Sequence, residues 1–95
     1  MKFRLFRFSG HAIQRMFERS ISKPDVIAVI ESGEAIADYP SETPYPACLL
    51  LGTVESRVLH VVIGMDRATE TCHVITAYPP NPALWSSDFR TRKRP

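Results

Sequence analysis

The chain lacks any long hydrophobic run. Its longest apolar stretches, such as 47–51, have five residues, far too few to cross a bilayer. The N-terminal segment MKFRLFRFSG is basic and aromatic, but it has no extended apolar core and no small-residue cleavage site, so we do not expect a signal peptide. Cysteine is also scarce. Cys48 and Cys72 form no CxxC pair, and a cytoplasmic protein with reduced thiols is the expectation.

The sequence also lacks the signatures of two common kinds of ligand site. The four glycines are scattered, so the chain has no Gly-rich phosphate-binding loop. Cys72 and His73 are neighbours in an expected strand and would point to opposite faces, and their spacing from Cys48 matches no zinc pattern. No local motif indicates a Ser or Cys nucleophile. We therefore expect neither a metal ion nor another cofactor.

Charge is present but unevenly distributed. Residues 1–19 hold five cations and one acid, a net charge of +4, and residues 90–95 hold four cations. The stretch between them holds three cations and nine acids, a net charge of −6. If the fold brings both ends together, one face becomes a cationic patch suited to a polyanion. If they lie apart, the basic segment 91–95 is only a disordered or solubilising tail.

The length and the hydrophobic fraction of 44% fit one domain, residues 1–95, with a modest core. Ser9 predicts the N-cap of a helix over about 10–19. Ser22 predicts the cap of a second helix, in which Pro24 occupies the first turn and which Gly33 ends.

The periodicity changes after the second helix. Residues 34–40 read as an edge strand, and 47–56, 58–65 and 71–78 read as strands joined by short turns. Residues 2–8 could form a strand or an extended arm. We expect an α+β fold in which two N-terminal helices pack on a three- to four-stranded antiparallel sheet. A short C-terminal helix over 82–90, or a tail, follows.

The first helix carries a row of basic side chains. His11, Arg15 and Arg19 recur every four residues and therefore share one side. The apolar residues of the opposite side, which we expect to meet the core, are Ile13, Met16 and Phe17. The row suits a phosphate, because Arg offers a fork of donors and His can move protons near neutral pH. The alternative is a solvated face in which Glu18 pairs with the arginines.

Three residues in the predicted strands could also carry chemistry. His60 lies mid-strand and shares a face with Val58 and Val62. A buried imidazole needs a partner, and the simplest alternative is a core histidine bonded to a backbone carbonyl. Thr76 and Tyr78 share a face near the end of the last strand, where Tyr could donate a proton and Thr could orient a phosphate. Both types are also ordinary strand residues.

Five segments together resemble a family known as domain of unknown function 4258: FSGHAIQRMFERSIS, VIAVIESGEAIADYP, YPACLLLG, LHVVIGMD and VITAYPPNPALW. The patterns HAxxRMxER and ITAYxPxxxxW are the specific parts, and the resemblance covers roughly residues 8–90. Such domains are grouped with RelE-type and BrnT-type toxins and barnase-like ribonucleases. That grouping implies helices followed by a four-stranded antiparallel sheet, and RNA cleavage as the activity of many members. The recurrent polar positions it implies here are His11, Arg15, His60, Thr76 and Tyr78.

The leading hypothesis is a metal-independent endoribonuclease of toxin type, which cleaves RNA through attack of the 2′-hydroxyl. An antitoxin protein would be its partner. The expected catalytic residues are His11, His60 and Tyr78, with the two histidines as acid and base. The expected substrate-binding residues are Arg15, Arg19, Thr76, Arg90 and Arg92. The alternative is a non-catalytic module that binds RNA or protein, and a weaker one is a site for a small phosphorylated ligand.

Overall fold

Two helices cover one face of a five-stranded sheet in the computed structural model, which describes residues 1–94. The elements in chain order are β1 (Leu5–Phe8), α1 (Gly10–Glu18), α2 (Lys23–Ser32), β2 (Glu34–Tyr39), β3 (Ala47–Val54), β4 (Arg57–Asp66) and β5 (Thr71–Tyr78). The strand order is β1-β5-β4-β3-β2. Within the described chain, no helix is long and apolar enough to span a membrane.

Both helices begin and end close to where the sequence predicts. The hydroxyl of Ser9 accepts a hydrogen bond from the backbone N–H of Ala12, and Ser22 does the same for Asp25, so each cap satisfies one free donor of its first turn. Gly33 ends α2, and its N–H donates to the Val29 carbonyl at 2.7 Å.

The predicted α+β class is confirmed, but the prediction of a three- to four-stranded antiparallel sheet is wrong. The segment that could have been an extended arm is β1, which pairs in parallel with β5, so the sheet has five strands and is mixed. Phe6 and Phe8 of β1 pack against the helix-side core. The sequence could not indicate this partner, because β1 and β5 lie more than sixty residues apart and local periodicity carries no pairing information.

The predicted C-terminal helix is also wrong. Residues after β5 form turns, and an isolated bridge joins Trp85 to Arg92. Asn81 Oδ1 accepts from the Ala83 N–H, and Phe89 adopts a φ of 62°, a conformation that no right-handed helix contains. We call residues 79–94 the C-terminal strap. It is anchored as far as Lys93, whose N–H donates to the Leu84 carbonyl, and Pro95 lies outside the described residues.

The core lies between the helices and the sheet. From β4 it receives Leu59, Val61 and Ile63, as the alternation of that strand predicts. Helix α1 contributes Ala12 and Met16 and contacts mainly β5. Because it packs on this one strand, its buried stripe is narrow. The expectation that Phe17 meets the core is wrong: its side chain is 85% exposed, and Ile13 is 38% exposed.

The end of α2 leaves no room for a side chain at Gly33. A Cβ there would lie 2.4 Å from the Val29 carbonyl oxygen and 2.7 Å from that of Leu51. We expect Gly33→Ala to lower the free energy of unfolding by about 1–3 kcal/mol, as overpacking does. For a domain of this size that corresponds to a fall in Tm of at least about 4 °C.

Gly10→Ala is the matched control for this prediction. It adds the same methyl group where nothing lies within 4 Å, in the first turn of α1, so its Tm should be unchanged or slightly higher. Thermal unfolding followed by circular dichroism measures both variants. Equal melting temperatures for the two variants would contradict the predicted difference.

Candidate functional site

The sheet face that the helices leave uncovered carries most of the expected site residues. His60 pairs across the strands with Leu51 on one side and Tyr78 on the other, and Val62 pairs with Thr76. The register shifts after Val62, because β5 contains one extra residue, Ile75. Because His60 pairs with Tyr78, and Thr76 lies two residues before Tyr78 in the regular part of β5, His60, Thr76 and Tyr78 project from the same face, opposite the helices. We call this the open face.

His60 is fully buried on the open face and both of its ring nitrogens have partners. Nε2 lies 2.8 Å from the backbone carbonyl oxygen of Phe89, and Nδ1 lies 3.3 Å from the Tyr78 hydroxyl. The Trp85 ring meets the imidazole edge to face, with centroids 4.5 Å apart. The C-terminal strap therefore closes over this histidine.

These contacts determine which nitrogen of His60 carries the proton. A carbonyl oxygen can only accept, so Nε2 must donate to Phe89. Burial lowers the pKa of His60, although its hydrogen bond to Phe89 acts in the opposite direction, and the ring is therefore neutral near pH 7. A neutral ring protonated at Nε2 has a free lone pair on Nδ1. The Tyr78 hydroxyl consequently donates to His60.

One cation from each end of the chain lies near Tyr78. Burial raises its pKa, and the nearby Tyr39 adds to the rise, while the positive charges of Arg92 and Arg19 oppose it. Arg19 is the C-cap of α1 and donates through Nη1 to the Ala77 carbonyl at 2.9 Å. Arg92 lies over the Trp85 ring, 5.8 Å from its centroid. Each basic end of the sequence thus contributes one arginine near Tyr78.

The structure does not bring His11 to this group. His11 is exposed on α1, which packs on the helix side of the sheet, whereas His60 projects from the open face. The expected pairing of the two histidines as acid and base is therefore absent. Arg15 forms an ion pair with Glu18 at 3.6 Å, which matches the solvated-face alternative for this helix.

Arg90 is also occupied elsewhere. Its guanidinium forms an ion pair with Glu34 of the edge strand β2 and lies 3.9 Å from Asp88. The pair with Glu34 links the C-terminal strap to β2, and because both side chains are about half exposed it is a weak contact. Of the five expected substrate-binding residues, Arg19, Arg92 and Thr76 accompany Tyr78.

Two elements of the site were missed by sequence reasoning. The Phe89 carbonyl is a backbone atom whose position depends on the turn of the strap, so no residue type could signal it. Trp85 is the last residue of the pattern ITAYxPxxxxW, but the sequence does not indicate its contact with His60, which depends on the strap folding back over the sheet.

Comparisons with known proteins give one match. A family model described as Domain of unknown function (DUF4258) matches residues 8–79, about three quarters of the chain. No significant match was found among curated proteins or among solved structures.

The neutral His60 makes stability depend on pH. Because its pKa is lower in the folded protein than in the unfolded chain, acid favours unfolding. The stabilisation is complete above the unfolded pKa of about 6.5 and is lost as the pH falls toward the folded pKa. We expect the free energy of unfolding to fall between pH 7.5 and pH 5.

Urea unfolding at several pH values in this range measures the effect. His60→Gln keeps a side-chain N–H donor but cannot titrate, so its stability should change less over the same interval than that of the wild type. An identical pH dependence in both proteins would contradict the lowered pKa of His60.

Proposed function

The chain belongs to the DUF4258 family, whose description assigns no activity, and we propose from its own geometry that it is a metal-independent endoribonuclease centred on Tyr78. The observation that carries the proposal is the hydrogen bond from the Tyr78 hydroxyl to the neutral His60, whose far nitrogen is held by the Phe89 carbonyl. In known proton-transfer sites, the reacting group is hydrogen-bonded to a base, and a third group orients that base.

RNA supplies its own nucleophile, so the protein must move one proton and stabilise charge on the phosphate. In the proposed reaction Tyr78 takes the proton of the 2′-hydroxyl while its own proton passes to Nδ1 of His60. The 2′-oxygen attacks the adjacent phosphorus and the bond to the 5′-oxygen breaks. The same pair then returns one proton to the 5′-oxygen. The products are a 2′,3′-cyclic phosphate and a 5′-hydroxyl.

The neighbouring side chains fit the charge that this reaction develops. Arg19 uses one guanidinium nitrogen on the Ala77 carbonyl and keeps its other donors for a phosphate oxygen. Arg92, over the Trp85 ring, is a second cation whose charge acts on Tyr78. Thr76 lies two residues from Tyr78 on the open face and offers a hydroxyl to the phosphate. A raised tyrosine pKa keeps Tyr78 protonated at rest, as the proton transfer requires.

A toxin role belongs to this proposal. We place the activity with the RelE-type, BrnT-type and barnase-like ribonucleases, in the cytoplasm, where the unpaired thiols of Cys48 and Cys72 would stay reduced. An antitoxin partner would then cover the cationic surface around Tyr78. These assignments rest on the family resemblance and on the charge of the site.

One observation favours a second candidate, a non-catalytic RNA-binding module. His60 has no exposed surface and no free nitrogen, as expected of a histidine that only holds the C-terminal strap on the sheet. The same cations would attract RNA without any proton transfer.

Cleavage of an end-labelled RNA in EDTA separates the two candidates. We expect Tyr78→Phe, which keeps the ring and removes the hydroxyl, to lower the cleavage rate at least about 100-fold, in the range of general acid–base catalysis, with little change in RNA affinity. His60→Gln should lower the rate as well, whereas His11→Ala should retain it.

Absence of cleavage by the wild-type protein, with RNA binding intact, would favour the binding module. Loss of cleavage in His11→Ala together with full activity in Tyr78→Phe would move the reaction to the outer side of α1 and contradict the proposed site.

A further inference from the structure

A cleft lies on the open face, at the opposite end of β5 from Tyr78. It measures about 560 Å³, a usual size for a ligand site. Because Leu5 pairs with Thr71 and Arg7 pairs with His73, the parallel addition of β1 brings a cationic strand beside β5 on this face. The lining residues are Arg4, Leu5, Arg7, Tyr45, Asp66, Thr69, Thr71 and His73.

Two polar groups of the cleft have no partner within the described residues, and a third has only a weak one. Nε2 of His73 is buried and has no hydrogen-bond partner, and such atoms are usually paired with protein, water or a ligand. Arg7 is exposed and forms no ion pair within residues 1–94. Arg4 lies 3.9 Å from Glu70, with both side chains largely exposed, which makes a weak contact.

The other walls suit the remaining parts of a nucleotide. The Tyr45 ring stacks on the His73 ring, with centroids 4.6 Å apart and an interplanar angle of 11°, and forms an aromatic wall. Nucleobases stack on such rings. Asp66 accepts a hydrogen bond from the Thr69 hydroxyl at 2.8 Å. Its carboxylate can also accept from a ribose hydroxyl, as acidic residues do in dinucleotide sites.

We propose that this cleft binds a second nucleotide of the RNA strand, with its phosphate on Arg7 and Arg4 and its base against Tyr45. The proposal takes its substrate class from the function proposed above. His73 and Tyr78 lie on the same face of β5, five residues and therefore roughly 15 Å apart. One strand of RNA can follow β5 from the cleft to the Tyr78 hydroxyl.

Binding of a fluorescein-labelled ten-nucleotide single-stranded RNA, followed by anisotropy, tests the cleft. Every protein in the series carries Tyr78→Phe, so that the RNA stays intact. We expect Arg7→Gln to weaken binding about tenfold at low salt. Loss of one phosphate contact should also reduce the slope of log K against log salt concentration by about 0.7.

The aromatic wall is tested in the same assay. Tyr45→Leu should weaken binding about tenfold with no change in the salt slope, because stacking involves no counterion release. Tyr45→Phe keeps the ring and should bind within twofold of the parent. Lys2→Gln is the matched charge control. It removes an exposed cation that does not line the cleft, and it should also stay within twofold.

The proposed binding in the cleft is contradicted if Arg7→Gln weakens RNA binding no more than Lys2→Gln does. It is also contradicted if folded Tyr45→Leu and Tyr45→Phe bind RNA equally. If circular dichroism shows that Tyr45→Leu does not fold, the comparison of Arg7→Gln with Lys2→Gln decides. Cleavage by the protein with native Tyr78 is measured separately. Weakened binding by Arg7→Gln without any such cleavage supports the cleft and contradicts the ribonuclease, whereas cleavage with unaffected binding does the reverse.

Discussion

The hydrogen bond from His60 to the Phe89 carbonyl is the contact on which the open face depends. It gives a buried imidazole the partner that burial demands, and it holds the C-terminal strap against the sheet. It also fixes the tautomer, since a carbonyl accepts only. Everything proposed for Tyr78 follows from that one proton position, because a ring protonated at Nδ1 would donate to the tyrosine instead of accepting from it.

The edge of the sheet formed by β1 and β5 determines where several cations of the two basic ends of the chain lie. β1 adds to β5 in parallel and brings its cations to one end of that strand, and α1 continues along β5 until its C-cap, Arg19, reaches the other end. The C-terminal strap returns over the same end with Arg92. Several cations of the two basic ends therefore lie along one strand, while Arg90 pairs with Glu34 at the other edge of the sheet, and a row of cations suits a polyanion better than a compact ligand.

The helices, the edge strand β2 and the faces of β4 could be predicted from sequence, because each depends on local signals. Ser9 and Ser22 cap within three residues, Gly33 ends its helix, and the alternation around His60 shows which side it takes. The fifth strand, the turns of the strap and the exposure of Phe17 could not be predicted. They depend on contacts between segments that are far apart in the chain, and Leu84 and Trp85 fit a helix as well as a turn.

In the candidate site, too, local sequence signals predicted some features, and others depended on contacts between distant segments. The alternation of the last strand predicted that Thr76 and Tyr78 share a face, but their position beside His60 depends on the strand pairing, which the structure supplies. His11 was grouped with them through the basic row of the first helix and the family resemblance, and the sheet separates it from His60. Arg19 and Arg92 were expected to bind substrate, but their approach to Tyr78 from distant parts of the chain required the fold.

The most direct test of this account is the protonation state of His60, observed through the ¹⁵N chemical shifts of its ring by NMR at pH 7. The account predicts a neutral ring with a protonated Nε2 and an Nδ1 shift typical of a hydrogen-bond acceptor. In Tyr78→Phe the Nδ1 shift should move, while Nε2 should stay protonated. A ring protonated at Nδ1, or one that carries both protons at pH 7, would contradict the proton transfer from Tyr78 to His60.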